Sequence, residues 1–345
     1  MLHIEREIAE QPEVIRRLLA QETGTAERIA QAIRTFDPAF VMIAARGTSD
    51  NAARYAQYLL GIHNNLPVAL ATPSVHTLYK AQPNLSRALM IGISQSGQST
   101  DVGQVVADAK AQGALTLTIT NDEGSPMAKM ADYHLSLRCG EEVSVAATKT
   151  YTAQLVAIAM LSAALSSDSA AQAELQKLPD LVAQTLDLSA PVRDWVQRYR
   201  YIESMAVIGR GYNYSTAFEI SIKIKELCYI TCEQYSEADF RHGPIAIIQP
   251  GFPVIVVAPR GKPFELMRDL LAELNKRKAE CLVISDDPDL ADQAQYFMPL
   301  PSDLPEWLSP VCAVIPGQIF AKNLALTKGH TVDRPEGLTK VTFTQ

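Results

Sequence analysis

Residues Leu89-Met-Ile-Gly-Ile-Ser-Gln-Ser-Gly-Gln-Ser-Thr100 decide the fold of this 345-residue chain. An apolar run from Leu89 to Ile93 breaks into Ser94-Gln95-Ser96-Gly97-Gln98-Ser99-Thr100, after which Val102, Val105, Val106 and Ala109 recur along one helical face. That order is a buried strand, a hydroxyl-rich turn and a helix start. Four hydroxyls and the first-turn N–H groups converge there, and the positive end of the helix dipole favours an anion. The turn has no Lys and lacks G-x-x-x-x-G-K-[ST], so it is not a nucleotide P-loop. Neutral hydroxyls and amides suit one small phosphate that must leave again. Turn formation and helix capping are the simpler use of Ser and Gly at such a place.

Outward from this stretch, strands and helices alternate. Residues 1 to about 36 read as helix, with Ile4, Ile8, Val14, Ile15, Leu18, Leu19, Ile29 and Ile33 on its apolar face. Phe40–Ala45 is a strand followed by Arg46-Gly47-Thr48-Ser49-Asp50 and a helix over 51–60. Strands are expected at 68–71, 89–93, 115–120 and 133–137, and helices at 101–112, 126–130 and 148–165. Alternation of this kind implies a parallel, doubly wound sheet. Its ligands bind beyond the carboxyl ends of the strands, where Arg46–Ser49 and Ser94–Thr100 both lie.

The Ala/Ser-rich segment beginning at Ser166 loses the strand pattern and reads as a helical linker, after which the pattern restarts. Val207-Ile-Gly-Arg210-Gly211 repeats Ile43-Ala-Ala-Arg46-Gly47 at an offset of 164 residues, and Pro253–Gly261 matches Leu89–Gly97 at the same offset. Cys281–Asp287 echoes Thr116–Asp122 one residue further out, and Gln318-Ile319 falls on Gln154-Leu155. Ordered matches at one spacing make the chain two copies of one α/β unit. The second copy loses the hydroxyl loop, with Ala258-Pro259-Arg260-Gly261 in its place. It gains Glu219, Lys223, Lys225, Glu226 and the turn Glu237-Ala-Asp-Phe-Arg-His242-Gly-Pro244. Copy one is expected to hold phosphate and copy two to supply acid–base groups.

Composition narrows the classes. Apolar residues make up 47 % of the chain, enough for a substantial core. A formal net charge of -7, without a Lys/Arg run, argues against a nucleic-acid partner. Cys139, Cys228, Cys232, Cys281 and Cys312 are odd in number, widely spread and without zinc-ligand spacing, as reduced thiols in a cytoplasmic protein would be. Glu5, Arg6, Glu7 and Glu10 do not make a signal peptide. The longest apolar run, Leu155–Leu165, is too short to span a bilayer.

On the helix carrying Glu219, Lys223 and Glu226, those three share one face while Ile220, Ile224 and Leu227 line another. A solvated face with a Glu219–Lys223 pair is the plain alternative. Apolar residues flank every charge, however, and the following Cys228-Tyr-Ile-Thr-Cys232 reads as extended and buried, so Glu226 is a candidate base. Among six histidines, His242 alone lies in a charged turn, beside Asp239 and Arg241; solvent exposure explains it equally well. Lys340 sits in a tail whose Pro335, Leu338 and Val341 suggest packing. No G-x-S-x-G, H-E-x-x-H or G-x-G-x-x-G is present, and neither a cofactor nor a metal is expected. A phosphate site, a carboxylate, a His and one or two Lys suit proton transfer beside a carbonyl or imine of a phosphorylated sugar.

These residues resemble the SIS (sugar isomerase) family in its double-SIS, amino-sugar-phosphate branch. Ser94-Gln-Ser-Gly-Gln-Ser99 is similar to that branch's phosphate loop. Arg46-Gly-Thr-Ser49, Val145-Ala-Ala-Thr-Lys149, Lys223-Ile-Lys-Glu226, Arg241-His-Gly-Pro244 and Leu338-Thr-Lys340 match in order over residues from about 40 to 340. The resemblance implies two tandem flavodoxin-like αβα domains with an N-terminal helix and an ordered C-terminal tail. The corresponding segments are 1–36, 37–165 (phosphate loop), 166–196 (linker), 197–332 (acid–base residues) and 333–345 (tail). It implies that Ser94, Gln95, Ser96 and Ser99 hold a 6-phosphate, with Thr48, Ser49 and Ala147 near the sugar. Glu226 would move the proton between C1 and C2, and His242 would assist ring opening, often from the partner subunit of a homodimer. Lys223 would lie beside the sugar hydroxyls, and Lys340 would cover the site and bond to the open-chain carbonyl.

Within the branch, the closest likenesses are the isomerase half of glucosamine-6-phosphate synthase and the stand-alone glucosamine-6-phosphate deaminases. The synthase pattern has Cys where Arg46 stands, Ser where Ala147 stands and an acidic residue at Gln98. It also carries a glutamine-hydrolysing domain with a Cys nucleophile, whereas the first Cys here is Cys139. These departures imply deamination of glucosamine 6-phosphate to fructose 6-phosphate and ammonia. The alternatives are aldose–ketose isomerisation, fructosamine-6-phosphate deglycation, synthesis with ammonia from another chain, and a non-catalytic sensor. A sensor would carry a DNA-binding appendage, for which the N-terminal 36 residues are too short and too acidic. The helices over 51–60 and 152–165 suit either a dimer face or core packing.

Overall fold

A computed structural model of the chain describes residues 1–340. The last five residues of the tail expected over 333–345 lie outside the described residues. The chain folds as two compact units that interleave along the sequence. One comprises residues 11–142 and 149–178 together with Thr339 and Lys340; the other comprises 1–10, 143–148 and 179–338.

The first unit holds β1 (Phe40–Ala44), β2 (Val68–Leu70), β3 (Ala88–Ser94), β4 (Leu115–Thr120) and β5 (Tyr133–Ser136) in the order β2-β1-β3-β4-β5, all parallel. All seven residues of β3 are buried, as a central strand covered on both faces requires. β4 alternates Leu and Thr; Thr116, Thr118 and Thr120 are fully buried because each hydroxyl has a partner, on Asp132, the Met127 carbonyl and the Asp122 carbonyl respectively. The long helix Gln11–Phe36 buries Val14, Ile15, Leu18, Leu19, Ile29 and Ile33 and packs on the helix Lys149–Ser166.

The second unit holds β6 (Ser204–Gly209), β7 (Thr231–Ser236), β8 (Pro253–Val257), β9 (Glu280–Ser285) and β10 (Tyr296–Pro299), again all parallel. Their order, β7-β6-β8-β9-β10, retraces the path of the first sheet strand for strand. The 164-residue offset carries Phe40 of β1 onto Ser204 of β6 and the helix Thr100–Ala111 onto the helix Phe264–Lys276. The repeat read from sequence is therefore a duplicated flavodoxin-like sheet.

Local differences have local causes. The expected first helix is two, His3–Ala9 and Gln11–Phe36. Cys228–Cys232 is not one extended stretch: the helix Tyr214–Cys228 ends on Tyr229 in the left-handed region (φ 54°), and β7 starts at Thr231. Every residue from Lys149 to Ala164 is buried within the chain, as are Ala52, Ala53, Tyr55, Ala56, Leu59 and Leu60 of the helix Thr48–Asn64. Core packing thus accounts for both helices that suited a dimer face. No described helix is long and apolar enough to cross a membrane.

Candidate functional site

In the order β2-β1-β3-β4-β5 the winding reverses between β1 and β3, so the crevice for a ligand opens beyond the carboxyl ends of those two strands. Both motif loops leave from there. After β3, Gly97 adopts φ +65°, and a Cβ on it would meet Ser125 Oγ at 2.1 Å, so only glycine fits the turn. Ser94 Oγ accepts the Gly97 N–H at 3.1 Å and lies 3.2 Å from Ser99 Oγ, while Ser96 Oγ accepts the Gln98 N–H at 3.2 Å. Gln95 is fixed by its carbonyl, which accepts the Asn121 N–H at 3.0 Å. Ser99, at the N-cap of the helix Thr100–Ala111, makes no side-chain capping bond. The hydroxyls shape the loop at the helix start and do not cap the helix.

After β1, the helix Thr48–Asn64 begins behind Gly47 (φ +53°). Ser49 is buried and its Oγ accepts from Gln154 Nε2 at 2.9 Å; Thr48 is half-buried at the helix start. Arg46 Nε donates to Asp101 Oδ2 at 2.8 Å, joining the two loops across the crevice, with the Asp101 carboxylate wholly buried and the guanidinium half-exposed. The loops carrying Thr48 and Ser49 and Ser94–Ser99 thus leave the carboxyl ends of adjacent strands of the first unit and are joined by the Arg46–Asp101 pair. Arg46 puts a cation beside a loop that has none of its own. Lys340 is in the same unit, its Nζ 2.8 Å from Glu142 Oε2.

In the second unit the equivalent crevice is filled. A Cβ at Gly261 (φ +147°) would meet the Glu306 side chain at 2.3 Å, and Glu306 Oε2 accepts the Lys262 N–H at 2.9 Å. Arg260 is taken up by Asp286 and Asp287. The chemistry-bearing residues of this unit lie on the helix Tyr214–Cys228. Lys223 Nζ is 3.5 Å from Glu219 Oε1 and 2.5 Å from Glu226 Oε2. The Lys223 and Glu219 side chains are 1 % and 0 % exposed, and Glu226 is 25 % exposed. The face is therefore not a solvated one: a buried ammonium bridges two carboxylates, and only Glu226 reaches the surface. On the apolar face of the same helix, Ile220 meets the helix Ser309–Lys328 at Gly317, where a Cβ would stand 2.4 Å from it.

His242 follows the short helix Glu237–Arg241 beyond β7, with its side chain exposed and its N–H donating to the Asp239 carbonyl at 3.1 Å. Arg241 is held by Glu237, which also faces Arg210. His242 is not part of the Glu219–Lys223–Glu226 cluster. Ala147 is half-buried in the segment 143–148, which both ends of this unit hold in place. The wholly buried Glu7 accepts the N–H groups of Val143 and Ser144 at 2.5 and 3.3 Å. Asp333 accepts the Val145 N–H through its carbonyl, and its carboxylate caps the helix His3–Ala9 at the N–H groups of His3 and Ile4. Glu7, Asp101 and Glu142 escaped sequence analysis, where Glu219 entered only as the helix partner of Lys223. Asp101, between Thr100 and Val102, is set apart from other charges in sequence, whereas Glu7 follows Arg6 and Glu142 follows Glu141, so neither carried a local signal.

The SIS domain model matches residues 39–164 and 200–328, one match over each sheet. The chain is 35 % identical over 341 residues to the glutamine–fructose-6-phosphate aminotransferase [isomerizing] of Pyrococcus horikoshii, covering 97 % of this chain and 56 % of that protein. It thus spans about half the length of the curated relatives it matches. Among solved structures, a candidate phosphosugar isomerase from Silicibacter pomeroyi superposes with a TM-score of 0.85 at 31 % identity, covering 96 % of this chain and 99 % of that one. Glucosamine-6-phosphate deaminase from Thermotoga maritima shares the fold, with a TM-score of 0.84 at 22 % identity over 99 % of this chain and 100 % of that one. With a domain match on each copy and a homologue this similar along nearly its whole length, the chain belongs to the SIS family, carrying two SIS domains homologous to the isomerase half of that aminotransferase.

Proposed function

We propose that the chain is an amino-sugar 6-phosphate isomerase/deaminase that converts glucosamine 6-phosphate to fructose 6-phosphate and ammonia. The hydroxyl loop Ser94–Ser99, with Thr48 and Ser49, takes the phosphate and the near end of the sugar. His242 assists ring opening and Lys340 bonds to the open-chain carbonyl. Glu226 removes the C2 proton and returns it to C1, leaving a ketimine at C2; water adds to that carbon and ammonia leaves. The observation that carries this is the Glu219–Lys223–Glu226 cluster. A proton carrier needs one carboxylate open to substrate and a fixed orientation, and the buried ammonium 2.5 Å away supplies the orientation. Arg46 and Ala147, which depart from the synthase pattern, favour deamination over amination.

The test is ammonia release from glucosamine 6-phosphate, with deuterium uptake from D2O into recovered substrate and product. Glu226→Gln is expected to lower kcat by about 10²–10⁴-fold. Failure to release ammonia, with no effect of Glu226→Gln on any sugar-phosphate turnover, overturns the assignment. A second function is favoured by the 35 % identity to an aminotransferase: synthesis of the amino sugar with ammonia delivered by another chain. Amino-sugar formation from fructose 6-phosphate and ammonium, faster than the reverse reaction, would select it. A cytoplasmic location, in keeping with five free buried thiols, and a homodimer with the site near the subunit interface complete the proposal. Sedimentation analysis tests the dimer.

A further inference from the structure

Glu142 directly precedes Val143 and belongs to none of the motifs that match the family. Its side chain has no solvent exposure. A carboxylate so placed is costly unless donors meet its oxygens. Thr150 donates its N–H to Oε1 at 3.1 Å and its hydroxyl to Oε2 at 2.8 Å. Thr150 lies in the first turn of the 18-residue helix Lys149–Ser166, so the carboxylate also faces the positive end of a dipole. The third donor is Lys340 Nζ, on Oε2 at 2.8 Å and 198 residues away in sequence. Residues 331–340 form neither helix nor strand, so no backbone ladder sets where the Lys340 ammonium stands. A side-chain contact to a fixed group does, and the Glu142 carboxylate is held by its two bonds to Thr150.

We propose that Glu142 is a positioning residue for the reaction: it anchors the Lys340 ammonium, which is one-quarter exposed. The role rests on the assignment of Lys340 to the substrate carbonyl made above. A plainer role exists, in which Glu142 only closes the turn from 142 to 150 through Thr150. The two differ in what happens to Lys340.

Labelling of the Lys340 amine in the full chain with an amine-reactive reagent, quantified by mass spectrometry, reads the contact without reference to turnover. Glu142→Gln is expected to raise the labelling rate several-fold and to lower kcat by about ten-fold or more, with a smaller change in KM. Glu142→Asp should recover part of both, and carries both measurements if Glu142→Gln does not fold. Thr150→Val removes one of the two bonds that hold the carboxylate, and should lower Tm and raise Lys340 labelling by less than Glu142→Gln does. On a Lys340→Met background, Glu142→Gln should cause no further loss of kcat, because the two act through one contact. Unchanged labelling in the folded Glu142 variants, or a full second loss on the Lys340→Met background, overturns the proposal. Wild-type turnover by Lys340→Met refutes instead the assignment of Lys340, whatever the labelling shows.

Discussion

Lys223 is the residue on which the candidate chemistry turns, because its buried ammonium meets both the buried Glu219 and the partly exposed Glu226. Burying the Lys223 and Glu219 charges is tolerable only while they remain matched. Lys223→Met is therefore expected to cost about 3–5 kcal/mol of stability by leaving Glu219 and Glu226 without their shared cation. Urea denaturation measures it, and a loss below about 1 kcal/mol would mean that water already screens the cluster. The same substitution frees the orientation of Glu226, so kcat should fall in the protein that remains folded. A lone Glu–Lys pair of this spacing on a solvated helix would give only a few tenths of a kcal/mol. Burial makes the difference.

At the scale of elements, the helix Tyr214–Cys228 packs on the helix Ser309–Lys328, with a tight contact at Gly317. A methyl group there would stand 2.4 Å from Ile220 Cγ1 and 2.5 Å from its Cδ1, one residue from Glu219. Gly317→Ala must push the helices apart or drive Ile220 off its rotamer, and is expected to cost about 1–3 kcal/mol by thermal melting. Adding Ile220→Val should restore part of Tm and of kcat together, since the same displacement that strains the core moves the Glu219–Lys223–Glu226 face. Recovery of Tm without kcat would separate packing from the chemistry. The crevices show the same dependence on elements: in copy one, strand ends and the Arg46–Asp101 bridge frame an open loop, whereas Glu306 fills the duplicate crevice.

For the molecule as a whole, the five cysteines report on its integrity. All are free and buried. Burial pushes the Cys228, Cys232, Cys281 and Cys312 thiols up to about 12, and burial with the adjacent Glu142 carboxylate pushes Cys139 well up. A raised value means that the protonated, unreactive thiol dominates near pH 8, and only unfolding restores the ordinary thiolate fraction. Native protein is expected to be nearly silent toward a thiol-specific disulfide reagent at pH 8, and denatured protein to titrate five thiols. Fast reaction of one thiol in the native state would locate a unit that opens locally.

Much of this could be read from the chain without coordinates, because strand–turn–helix order, period and the 164-residue repeat are properties of consecutive residues. Leu89–Thr100 sufficed for β3, its loop and the following helix, and Val207–Gly211 and Pro253–Gly261 sufficed for the second sheet. Only tertiary structure decided that Glu219 and Lys223 are wholly buried while Glu226 stays partly exposed, since the sequence left a solvated face open as an alternative. The same holds for Arg46 on Asp101, 55 residues apart, and Lys340 on Glu142, 198 apart. The reason is physical: local propensity acts over a turn or two of chain, whereas the energy of a buried charge depends on whichever remote groups packing brings within hydrogen-bond reach.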